Sequence, residues 1–119
     1  MDDAEIERHP LVEAAARLAG DLLFPNAADV DAGQVPRSHL EAMAAAGLFG
    51  ISAPLAAGGS AAPGPVARRV HEILAGADAS TWFVYTQHMT PVRALVEYGG
   101  HDGVLAELAA GRLIGGLAV

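Results

Sequence analysis

From His9 to Phe24 apolar residues recur at Leu11, Ala15, Leu18 and Leu22, the spacing of one face of an α-helix. Pro10 suits the first turn of that helix, and Pro25, with no amide hydrogen to continue the ladder, is predicted to close it. The polar stretch 26–35 then reads as a connection. The run PRSHLEAMAAA over 36–46 predicts a second helix, stopped by Gly47. Val66, Val70, Ile73 and Leu74 mark the apolar stripe of a third, ending near Gly76. Asp78 or Ser80 is placed to cap a fourth over 80–98, in which Pro91 predicts a kink or two helices meeting near Thr90. Gly99 and Gly100 end it. Asp102 can cap a fifth, with Leu105 and Leu108 on its apolar side and Gly111 at its end.

Between the second and third helices, GLFGISAPLAAGGSAAPGP over 47–65 carries too many Gly and Pro residues for any regular element, so a long shaped loop is expected. The close of the chain, LIGGLAV over 113–119, is apolar and of strand length, yet no second strand is evident to pair with it. The fold class is therefore all-α: about five helices over 9–112 around a Gly/Pro loop, after a polar, flexible 1–8 and before one unpartnered strand.

The 119 residues, 52% hydrophobic, suffice for one domain with a core and fall short of two ordinary ones. Seven basic against fourteen acidic residues give a net charge of −7, which excludes the basic footprint of a nucleic-acid binder. All seven basic residues are Arg, so neither a lysine Schiff base nor a phosphate-loop lysine is available. The absence of Cys removes thiolate chemistry and disulfides. The acidic start does not fit a secretory signal, and no apolar run reaches the roughly 18 residues of a membrane span. A cytoplasmic protein without a membrane partner is expected.

Three local motifs are incomplete. His71-Glu72 begins the helical zinc pattern HExxH, but Ala75 stands in place of its second histidine, and no metal site is predicted. Gly50-Ile51-Ser52-Ala53-Pro54 resembles a nucleophile elbow with Pro54 replacing its last glycine and no strand before it. The loop glycines do not form GxGxxG after a strand. The stretch TWFVYTQHM over 81–89 is more informative. On a helix Trp82, Tyr85, Thr86 and Met89 share one face, while Thr81, Val84, Tyr85 and His88 share an adjacent one. Apolar and hydrogen-bonding groups thus occur nearly all round. Burial habits read this as core; a wall of a ligand pocket, apolar with a few placed polar groups, has the same composition. Periodicity leaves both readings open.

The loop GLFGISAP, followed three residues later by Gly58-Gly59, resembles the GLxGIxxPxxxGG signature of the acyl-CoA dehydrogenase superfamily. The Pro-led helix just before it, the ADAST start over 77–81, Tyr98-Gly99 and the GRLIG turn over 111–115 match the same family in order. The resemblance covers about His9 to Val119. It implies the amino-terminal helical domain of an FAD-dependent enzyme (FAD or FMN in the complete protein), with 113–119 as the first strand of a β-domain. That complete protein would remove hydrogen across the α,β bond of an acyl-CoA thioester and assemble as a homo-oligomer, a tetramer by family habit. The resemblance places Trp82, Phe83, Thr86 and Gln87, with His88, at substrate-binding positions. No catalytic residue and no tightly held flavin are expected within the 119 residues themselves.

Two alternatives accompany this expectation. Bulky aromatics beside Gln87 and His88 crowd a long acyl channel, and the same sequence look is similar to flavin-dependent monooxygenases of this fold, which act on aromatic substrates. There a histidine near the flavin assists oxygen chemistry, which makes His88 the catalytic candidate of that branch. The third reading is a stand-alone, non-catalytic helical module that binds a partner.

Overall fold

The structure is a computed structural model that describes residues 1–116. Its first element, α1 (Asp3–Glu7), lies in the segment expected to be flexible. Asp2 caps it by accepting the Glu5 amide at 2.8 Å, and Glu7 pairs with Arg69 at 2.6 Å.

The first predicted helix forms but does not stop at Pro25. Helix α2 (Pro10–Leu18) leads through a π turn (Ala19–Leu23) directly into α3 (Phe24–Ala32). In the π turn the Phe24 amide reaches back to the Ala19 carbonyl, five residues away, so the ladder restarts. Pro25 then occupies the first turn of α3, where an amide hydrogen is not used. The Asn26 side chain donates to the Leu22 carbonyl at 2.7 Å and takes over one bond of the interrupted ladder. The buried stripe is Val12, Ala15, Ala19 and Leu23; the predicted Leu11, Leu18 and Leu22 flank it half-buried.

Helix α4 (Arg37–Ala45) ends as predicted at Gly47, which adopts φ +78°. Helix α5 (Gly64–Ala77) buries Val66, Val70 and Leu74, and α6 (Ala79–Tyr98) starts on an Asp78 cap. One helix runs through Pro91, rather than two meeting at Thr90. Helix α7 (Asp102–Ala109) buries Leu105 and Leu108. The five predicted helices are thus α2, α4, α5, α6 and α7, with α1 and α3 in addition. Helix α5 packs between α2 and α6, and α7 lies on the far side of α6. Among the described residues no strand forms: Leu113 to Gly116 is irregular, and 117–119 of the predicted strand lie outside them.

The Gly/Pro loop folds back on itself through two short 3₁₀ turns, Leu48–Gly50 and Leu55–Ala57. Its backbone closes with Ser60 donating to Gly50 at 2.9 Å, Ala62 to Ile51 at 2.8 Å and Ala61 to Ala53 at 2.9 Å. This return requires bare glycine. A Cβ on Gly59 would lie 2.3 Å from the Ala53 carbonyl oxygen, and one on Gly50 would lie 2.9 Å from that of Ala109. Closure buries Leu48, Phe49 and Ile51 completely, and the turn that carries Leu48 and Phe49 packs against α6 and α7.

Two glycine substitutions separate close packing from backbone conformation. Gly58 has φ +83° with open space around it, so Gly58→Ala should cost about 1 kcal/mol from the left-handed conformation alone. Gly59→Ala forces backbone apart and should cost about 3 kcal/mol. Urea unfolding of both variants checks this; equal losses would show that the loop does not hold this close approach.

Candidate functional site

The inward face of α6 carries polar groups, and each has a partner. Asp78 accepts the Ser80 amide at 3.1 Å and the Thr81 hydroxyl at 2.5 Å. The buried Tyr85 hydroxyl donates to the Leu48 carbonyl at 2.7 Å, and burial pushes its pKa well above the usual phenol range. The His88 ring bridges two backbone groups. Its Nε2 lies 2.9 Å from the Leu108 carbonyl, and its Nδ1 accepts the Gly115 amide at 3.0 Å. A carbonyl on one side and an N–H on the other assign the neutral tautomer protonated at Nε2. The ring is fully buried, 4.5 Å from the Phe49 ring, and burial lowers its pKa while the Leu108 bond opposes that shift.

The five residues expected at the substrate therefore separate. Phe83, Thr86 and Gln87 share the outward face of α6, with Phe83 56% exposed and the other two half-buried. Trp82 turns instead onto α5, where its Nε1–H donates to His71 Nδ1 at 3.0 Å with the two rings edge-on. His88 points to the opposite side, into the contact with α7. Between α5, α6 and the loop lies a cleft of about 190 Å³, lined by Ser52, Ala67, His71, Thr86, Met89 and Arg93.

Sequence reasoning weighed His71 only as a zinc ligand and did not consider Arg93. Their meeting depends on how α5 and α6 pack, which no spacing within either helix encodes. Burial, and secondly the Arg93 charge, lower the His71 pKa. Among the described residues no cluster of three or more His, Asp or Glu side chains could hold a metal, and no helix is long and apolar enough to cross a membrane. Nor do the residues around α6 fit a flavin: the cleft beside its outward face is smaller than the roughly 300 Å³ at which small-molecule sites begin. What α6 presents is a face, not an enclosing cradle.

The state of His88 can be read from stability against pH. An unfolded histidine titrates near 6.5, and both His88 and His71 are held neutral to lower pH in the fold. Between the folded and unfolded pKa values the unfolded chain binds more protons, so stability is full above about pH 6.5 and falls below it. His88→Gln should flatten that fall, leaving the part due to His71, while His88→Ala should cost about 3 kcal/mol at neutral pH by stranding two backbone groups and opening a cavity. Urea midpoints across this range test both; a pH slope unchanged in His88→Gln would show that His88 is not held neutral.

The model of the family described as acyl-CoA dehydrogenase, N-terminal domain, matches residues 6–110, from the end of α1 to the residue after α7. No curated protein matches the chain. The match takes in the closed loop, the Asp78 cap and the whole of α6, and the chain belongs to the acyl-CoA dehydrogenase N-terminal domain family.

Proposed function

We propose that the outward face of α6 forms one wall of the acyl pocket of an acyl-CoA dehydrogenase-type oxidoreductase, with Phe83, Thr86 and Gln87 touching the substrate. The carrying observation is the exposure of Phe83 at 56% in a helix that buries Thr81, Tyr85 and His88 on its other side. An exposed aromatic flanked by a hydroxyl and an amide suits an apolar chain that ends in a polar thioester. Phe83 would cover the acyl chain, and Thr86 and Gln87 would orient polar atoms. The reaction supported is removal of hydrogen across the α,β bond of a short or branched acyl-CoA. FAD and the base belong to other parts of the assembled enzyme, a homo-oligomer by family habit. This chain contributes binding and exclusion of water.

The monooxygenase reading rests on His88, and the geometry does not favour it. Both ring nitrogens are engaged by backbone, which leaves no free donor or acceptor for oxygen chemistry. Trp82, also expected at the substrate, is committed to His71.

The test uses the complete gene product, a panel of acyl-CoA thioesters and an electron-accepting dye. Reduction of the dye should depend on a short or branched acyl-CoA. Phe83→Ala should raise kcat/KM for longer chains relative to short ones by about tenfold, the scale of a few methylenes gaining room in an apolar pocket. No turnover with any thioester would sink the dehydrogenase reading, and an unchanged chain-length preference would remove Phe83 from the pocket wall.

A further inference from the structure

The cleft beside α6 has a composition unlike the rest of this acidic chain. Its polar lining residues are Arg93, His71, Ser52 and Thr86, with Ala67 and Met89 as the apolar ones and no Asp or Glu among them. The Trp82 bond to Nδ1 sets the neutral His71 ring with its proton on Nε2, and among the described residues no acceptor is bonded to that N–H. Arg93 has no ion-pair partner among the described residues either. Two carboxylates are close in sequence. Glu72, beside His71, pairs with Arg69 at 3.5 Å, and Glu97, one turn beyond Arg93, forms no ion pair with it. Arg93 is itself exposed to solvent, and the cleft thus gathers one positive charge, one N–H donor without an acceptor and two hydroxyl-bearing residues.

We propose that this cleft binds the carboxylate of a small aliphatic acid, with Arg93 and His71 Nε2–H donating to its oxygens and Ala67 and Met89 against its stem. The number of charges selects a carboxylate over a phosphate: one guanidinium balances one negative charge and matches the two oxygens of a carboxylate with its planar fork. A second charge on the ligand would find no second cation in the cleft, in a chain of net charge −7. The volume, about 190 Å³, limits the ligand to a few heavy atoms or to the end of a longer molecule. The cleft shares Thr86 with the outward face of α6, but its two donors to the ligand, Arg93 and His71, take no part in the acyl wall proposed above.

Trp82 is the single tryptophan of the chain and is bonded to His71, so it reports on this cleft. A carboxylate that accepts the Nε2–H makes Nδ1 a stronger acceptor, which should move the indole N–H proton resonance downfield and change the Trp82 emission. Titration of the chain with propionate should give a saturable change, with propionamide giving none and phosphate binding more weakly. Arg93→Gln should raise the half-saturation concentration about tenfold, as expected for loss of a charge-assisted pair. Arg68→Gln makes the same change of net charge on a second exposed arginine, one outside the cleft, and should leave binding unchanged. No saturable response to propionate, equal binding of propionamide or phosphate, or equal weakening by Arg68→Gln would overturn the proposal. The folding of Arg93→Gln is checked by its unfolding midpoint, and Arg93→Lys, which keeps the charge without the fork, should bind with intermediate strength.

Discussion

The rotation of α6 about its own axis is the constraint on which the rest of the site depends. Thr81, Tyr85 and His88 stand at helical spacing on the face turned inward, and each is buried. A buried polar group costs free energy unless it is paired, so the partners of Tyr85 and His88, which lie outside the helix, fix which way it faces. Asp78 holds the first, the Leu48 carbonyl the second, and the Leu108 carbonyl with the Gly115 amide the third. The Asp78 bond is the helix's own cap and turns with it, but turning α6 by one residue would strand both Tyr85 and His88. With that face fixed inward, Phe83 and Gln87 have no direction left except outward.

The loop supplies the middle of those partners, and its shape comes from what glycine lacks. Gly50 and Gly59 let two passes of backbone approach each other and α7 more closely than a Cβ would allow. That approach lays Leu48 and Phe49 beneath α6, so one carbonyl meets Tyr85 and one ring lies against His88. At the end of α7, Gly111 with φ +76° leaves no room for a Cβ beside Ala44 and Phe49. The same ring is therefore held from both the loop and the α7 turn. The connection from loop to helix is a chain of contacts, each residue fixed by the one before it.

Helix existence was legible because the apolar spacing of Val66, Val70 and Leu74, or of Leu105 and Leu108, is a local property of the chain. The end of the first helix was not. Pro25 is a breaker in a regular ladder, but a π turn resets that ladder, and neither the turn nor the Asn26 bond that supports it has a periodic signature. The buried stripe of α2 and its π turn also lies one residue away from the leucines, on Val12, Ala15, Ala19 and Leu23, the side on which both pack against α5. The family was legible in the loop, since its glycines and prolines answer to backbone geometry rather than to packing. The division of TWFVYTQHM was not, because Trp82 meets His71 and His88 meets Leu108 across helices that are far from them in sequence.

That division also explains why periodicity left the stretch undecided. A helix that buries its apolar side and exposes its polar side announces its orientation, and α6 does neither cleanly. Its interior face holds a hydroxyl, a phenol and an imidazole, while a phenylalanine stands on its exterior. The arrangement is locally costly on both sides: the interior needs a partner for every polar atom, and the exterior leaves an apolar ring in water. Phe83 stands outside while Tyr85, two residues on, is buried against the loop with the Leu48 carbonyl as its partner. The inward polar groups fix the direction of α6, and the outward ring follows from that direction.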